Sequence, residues 1–342
     1  MNRTILRTAL LLLPVFAART AEAQVAPTVA TDDMKKKVDE KPTDKPQGWS
    51  LGLNIGGTVS FNHNSNVVGQ DDGATLQIGL VLGASANLLH GQHSWENVLA
   101  VQHAQTRTPQ LERFVKSLDV IDLQSTYIYR FTGIDWLGPF AKATFQSSLL
   151  PGYAIRTEPS VVIRTNLDGT TVTENVAARA NIDLTGAFEP LTMRQSVGLF
   201  AEPYKSDTVN ISGKLGVGAQ EIITRDGYVL GDNKDTPEVE VNQLDSTQEA
   251  GAEAELGLAG EPVPKVLTWK VVGNVFLPVI TSNDAEVDFE DKLNIKISGA
   301  VSVKVTDWLS LDYVLTVLRL PLVLNEFQVQ NGLILNANFK LL

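Results

Sequence analysis

The residues of this chain best able to do chemistry are its charged side chains, and their spacing is the first clue to their use. Glu249, Glu253 and Glu255 share one phase of a two-residue alternation, and Lys292, Lys296 and Lys304 share one phase of another, with Lys270 in the segment between. A two-residue period puts alternate side chains on one face of a β-strand, so each set projects from one side of a sheet. Arg130, Lys142, Arg194 and Lys214 take the same polar phase in their own segments. Opposite charges on one sheet face can pair and fill an interior, or they can line a path for a charged solute. The pattern leaves both open.

Catalysis has less to work with. A hydrolase of the serine type needs a histidine in reach of a nucleophile and an orienting carboxylate. His90 and His93 fall in a short turn, His63 opens a longer connection, and His103 lies on an apolar phase with no Ser or Asp tied to it by spacing. An interfacial side chain is the simpler account of His103, and no enzyme is expected. His90 and His93 supply two ligands in a turn, too few for a metal site. Asp226, Asp232, Asp235, Glu238, Glu240 and Asp245 lack the ordered spacing of a calcium loop and read as a solvated acidic loop. Gly213, Gly216 and Gly218 sit in a strand with no helix after it, so they are not a nucleotide loop. No catalytic, metal or cofactor residue is assigned.

The elements that position these charges are strands. From Trp49 to Phe61 the odd residues are apolar or Gly, while Ser50, Asn54, Thr58, Ser60 and Asn62 take the even places. The same alternation recurs over about twelve segments, near 49–62, 74–89, 94–106, 117–131, 139–150, 191–202, 208–223, 248–259, 266–280, 289–305, 308–319 and 327–341. Soluble sandwiches alternate too, but these segments are commonly longer than the ~5 to 6 residues of soluble strands and reach the ~9 to 11 that cross a bilayer at a tilt. Connections alternate short and long, as barrel turns and loops do. Trp49, Trp95, Trp136, Trp269 and Trp308 all lie at or just before the start of an odd-numbered strand, where an interfacial aromatic girdle would place them, joined by Tyr129, Phe131 and Phe339. The fold expected is all-β: a closed antiparallel transmembrane barrel of about twelve strands, with short periplasmic turns and long external loops. The stretch 151–190 has strand character of its own, which either extends above the membrane or makes fourteen strands.

Composition and termini agree with a Gram-negative outer-membrane location. The chain has 342 residues, 39 acidic against 28 basic groups, and no cysteine. Disulfide scaffolds and Cys-ligated metals are excluded, and the acidic balance argues against a nucleic-acid partner. Arg3 and Arg7, the short apolar run Ala9 to Ala18 and the small-x-small Ala21-Glu22-Ala23 read as a cleaved signal over 1–23. Residues 24–48, with Pro27, Pro42, Pro46 and the run Lys35-Lys36-Lys37, read as a flexible leader too short for a plug domain, and 49–342 as the barrel. The final strand, ending Asn338-Phe339-Lys340-Leu341-Leu342, is similar to those read by outer-membrane assembly machinery, although its aromatic stands three residues short of the end.

The series Asn97-Val98-Leu99, Ser117 to Leu123, Trp136, Thr144-Phe145-Gln146, Pro151-Gly152-Tyr153 and Glu189-Pro190-Leu191 leading into Val197-Gly198-Leu199 resembles a family of outer-membrane barrels of unknown function common in Bacteroidetes. The resemblance implies barrel and location and carries no activity. The partners expected are outer-membrane lipid and the assembly machinery, with an unidentified small solute passing a polar lumen. The alternative is a closed barrel acting as a structural or partner-binding platform through its external loops.

Overall fold

A computed structural model describes residues 47–64, 73–111, 113–206, 208–231, 236–282, 292–320 and 324–340. The expected signal, all but the last two residues of the leader, Asp232 and Asp235 lie outside them, as do the side chains of His63 and Phe339.

Alternating runs become strands because every second apolar side chain can leave the polar face together. In chain order these are β1 (Gly48–Asn64), β2 (Gly73–His90), β3 (His93–Arg107), β4 (Val115–Tyr129) and β5 (Leu137–Ser147). Four short strands follow: β6 (Gly152–Ile155), β7 (Ser160–Thr165), β8 (Thr171–Val176) and β9 (Asn181–Thr185). Next come β10 (Leu191–Lys205), β11 (Val209–Ile223), and the short β12 (Tyr228–Leu230) and β13 (Val239–Gln243). The series ends with β14 (Thr247–Val263), β15 (Leu267–Thr281), β16 (Asn294–Lys304), β17 (Leu309–Leu320) and β18 (Leu324–Lys340).

The long strands are hydrogen-bonded antiparallel, each to its chain neighbour, and β1 pairs β18 from Asn54↔Lys340 to Val59↔Leu335, which closes the barrel. Closure leaves no unpaired edge. The distribution of side chains is the reverse of a water-soluble core. Leu51, Val59, Leu215 and Val217 are exposed on the outside, whereas Glu96, Arg130, Glu202, Glu249, Glu253 and Asp312 are buried.

Curvature has a local cause between β10 and β11. Gly198 pairs with Gly216, and a Cβ on Gly198 would come 2.1 Å from the Leu215 carbonyl oxygen, one on Gly216 2.2 Å from that of Val197. Only glycine permits that approach.

The segments 151–190 and 224–247 resolve differently from their reading as loops. β6 pairs β9, and β12, β13, β7 and β8 form a second small sheet in which β13 lies parallel to β7. Neither sheet joins the barrel ring. Val162, Ile182, Val239 and Val241 are buried together, with Tyr228 and Leu230 packed against them. The reading of 224–247 as a solvated acidic loop is therefore corrected: its Val239 and Val241 alternate inward with Glu240 between them, so two of the five residues of β13 are core. The Glu189 carboxylate ties the two segments together by accepting the backbone N–H groups of Gly186, at 2.8 Å, and Arg225.

Candidate functional site

Register places the inner charges in cross-strand rows. One row runs Thr144, Arg194, Gln220, Glu249 and Thr281 across β5, β10, β11, β14 and β15. Another runs Phe200, Lys214, Glu255, Asn274 and Lys296 from β10 to β16. On β10 and β11 the inward positions between these rows are small: Ser196 faces Gly218 and Gly198 faces Gly216. That gap is what long side chains cross. The Lys142 ammonium on β5 reaches the Glu255 carboxylate on β14 at 2.9 Å, passing over β10 and β11, and Lys214 holds the other oxygen of the same carboxylate at 2.7 Å. Arg194 meets Glu253 at 3.4 Å and lies 4.5 Å over the ring of Phe276, which is fully buried. Asn274 donates to the second Glu253 oxygen at 2.9 Å, and Gln220 donates to Glu249 at 3.4 Å. Burying charges is costly unless they are paired and hydrogen-bonded; Glu255 with Lys142 and Lys214 meets both conditions, whereas Arg194 is ion-paired to Glu253 while its Nε and Nη2 make no hydrogen bond.

A second cluster lies nearer the short turns. Arg130 follows the end of β4, is 1% exposed, donates to Ser94 at 3.0 Å and stacks 5.3 Å over Phe200. Ile128, Phe140 and Phe200 form a buried apolar group beside it, and Glu96, Glu202 and Thr126 are buried on the same side of the ring. Sequence reasoning passed over Glu96, Glu202 and Asp312. Within their own strands Glu202 shares the phase of Arg194 and Ser196, and Asp312 that of Ser310 and Thr316, whereas Glu96 stands in phase with Val98 and Ala100 and gives no polar signal.

The remaining lysines sit elsewhere. Lys270 on β15 is half-buried, Lys296 on β16 is exposed, and Lys292 is half-buried beside the undescribed stretch 283–291. Lys304 ends β16 and pairs with Asp307 at 2.8 Å in the following turn. The hydrogen bond from Lys304 holds the Asp307 carboxyl below its ordinary range. Lys142, Arg194 and Lys214 are tied to carboxylates, one of the two arrangements their shared sheet face left open. The pairing also skips strands, which adjacency along the chain does not reveal.

On the outer surface the five tryptophans gather at one end of the barrel. Trp49 and Trp95 meet at an interplanar angle of 58° with ring centroids 5.8 Å apart, and Trp95 donates to Ser125 at 2.9 Å. Near the opposite end the account of His103 changes. Cross-strand pairing sets Asp119 directly opposite it, with Nδ1 3.7 Å from the carboxylate. Asp119 also accepts the Leu150 N–H at 2.6 Å and takes Lys116 at 3.4 Å, so the carboxylate anchors the turn after β5. Sixteen residues separate His103 from Asp119, a spacing without meaning until register is known. Among the described residues, no three His, Asp or Glu side chains are placed to share a metal ion.

Residues 58–153 match the family described as a protein of unknown function, DUF3078. The matched span runs from β1 into β6 and contains the resembling residues from Asn97 to Tyr153, while those from Glu189 to Leu199 lie beyond it. No curated protein matches the sequence. Among solved structures the chain is similar to the COG4313 outer membrane channel from Pseudomonas putida F1, at 9% identity and a TM-score of 0.39, covering 88% of this chain and 97% of that one. It is similar to the translocator domain of the autotransporter NalP from Neisseria meningitidis, at 10% identity and 0.38, covering 91% and 96%. It is also similar to OprB from Pseudomonas putida, at 11% identity and 0.29, covering 91% and 97%. Likeness at this level leaves the role to be argued from the chain's own residues, and the family model that matches residues 58–153 carries no assigned function.

Proposed function

We propose that this chain spans the outer membrane as a twelve-stranded barrel and acts as a narrow channel for a small polar solute. One observation carries the reading: the apolar side chains face out around the whole ring, while on β16 the inward Asn294, Lys296, Ser298, Ser302 and Lys304 run from end to end without one buried residue. Apolar exteriors suit lipid, and an unburied polar wall inside suits water. The cluster of Lys142, Arg194, Lys214, Glu253 and Glu255 is the constriction, because its long side chains reach over the glycine-lined wall of β10 and β11. The sheets built from 151–190 and 224–247 stand over the mouth. The tryptophan end meets the periplasmic interface, and β18 is the strand offered to the assembly machinery.

The test is single-channel conductance of the refolded barrel in a planar bilayer, beside a variant lacking residues 153–188. Steady ohmic steps, larger in the variant, are the expected result. Silence from both, with heat-modifiable gel mobility confirming the fold, would overturn the channel. It would leave the second reading, a closed partner-binding platform, which the separately cored external sheets favour.

A further inference from the structure

We infer that the path through this barrel prefers anions, although the chain as a whole carries a net charge of −11. The inference rests on the channel reading above and adds the sign of the solute. It comes from where each charge sits relative to water. Net charge is a sum over the surface, whereas a narrow path responds to the groups that line it within a Debye length.

Inside the barrel the carboxylates are withdrawn. Glu96, Glu249, Glu253 and Asp312 are at most 5% exposed. In the Arg194–Glu253 pair the cation side chain keeps 21% of its surface against 5% for the carboxylate. In Lys205–Glu202 the figures are 25% and 1%. In these two pairs the cation is the more exposed partner, whereas Glu255 at 17% is as exposed as Lys142 and Lys214 at 15% each. Glu255 is the more accessible acid, and it is held between two ammonium groups, Lys142 and Lys214. The next strands in its row continue with Asn274 and the exposed Lys296, and Lys270 follows on β15. Among the described residues, Asp122, half-buried on β4, opposes the trend. The wetted inner surface is thus basic where the side chains come closest together.

The cause lies in side-chain length. A lysine or arginine extends its charge well beyond the backbone, and a glutamate flanked by glycines stays near the wall. With Ser196, Gly198, Gly216 and Gly218 as neighbours, the long cations lie over the short acids.

The test uses the full-length refolded barrel in a planar bilayer with a tenfold potassium chloride gradient and about 1 M salt on the concentrated side, where the Debye length of ~3 Å screens the acidic external segments. The reversal potential of the native protein is expected on the chloride side, with chloride several-fold more permeant than potassium. Lys296→Glu is expected to bring the ratio to unity or invert it, and Lys296→Gln to lower it by less. Heat-modifiable mobility of each variant shows that it has folded. A potassium-selective native protein, or a ratio that both substitutions leave unchanged, overturns the anion preference while the channel stands. Absence of conductance in folded protein overturns the channel itself, and this inference with it.

Discussion

β3 and β16 are built on the same alternation and end up in opposite conditions. On β3 the inward Glu96, Val98, Ala100, Gln102 and Ala104 are all buried, and on β16 no residue is. The difference lies in what each strand faces. The side of the ring that holds β3 also carries Phe140, Phe200, Ile128 and Arg130, whose bulk fills the space beside it. β16 presents serines and an alanine between its lysines, and on the inward phase it sets Ala300 opposite Lys270 and Ser298 opposite Val272, leaving room at the wall. The barrel interior is packed on the flank of β3 and wet along β16, whose neighbours β15 and β17 still bury Phe276, Asp312, Val314 and Thr316. The packed flank supplies stability, and the wet flank supplies a route.

The sharpest way to break that comparison is to remove charge from the packed flank. Arg130→Ala deletes a cation with 1% exposure from among buried carboxylates, and losing one member of a buried charge set costs about 3–5 kcal/mol. Urea unfolding of the refolded barrel should show a loss of that order, and a loss below about 1 kcal/mol would mean the flank is not the stabilising side. Gly216→Val adds bulk where a Cβ already meets backbone 2.2 Å away, and overpacking of this kind costs about 1–3 kcal/mol by the same unfolding measurement. If the variant were as stable as the native protein, the close approach of β10 and β11 would not be a requirement of closure. On β16, Ser298→Ala should change stability by no more than about 0.5 kcal/mol, since nothing there is buried. A larger loss would show that the wet flank is packed after all.

The smallest effect is outside the barrel altogether. The Asp168 carboxyl is held below its ordinary 3.8 by the Thr170 hydroxyl and N–H, which closes the turn from β7 to β8. A carboxyl with a depressed folded value contributes stability above its unfolded value and loses it as pH falls through the folded one. Amide exchange at Gly169 and Thr170 should therefore rise relative to the intrinsic rate below pH 3.8. Exchange unchanged against that rate would show that the bond adds nothing to this exposed turn.

Much of the architecture could be read because a strand of period two that faces lipid on one side must sort its residues strictly. Strand ends moved modestly: the segment expected over 139–150 is found at Leu137–Ser147, and that over 248–259 extends to Val263. Ends are set by the turns and bulges, such as the shift between Gly260 and Val263, which alternation does not register. The parallel pairing of β13 with β7 joins segments more than seventy residues apart, and no local rule announces it.

By itself the sequence determined which faces are polar, that the chain is all strand in character, and which charges share a phase, because those follow from local periodicity. Tertiary structure alone decided which charges meet. The Lys142–Glu255 contact spans three strand steps of the ring, and the His103–Asp119 pair depends on the register of two strands. Both are fixed by how the sheet curls and by which neighbours are small enough to be crossed. Those are properties of a closed surface, and a linear pattern does not contain them.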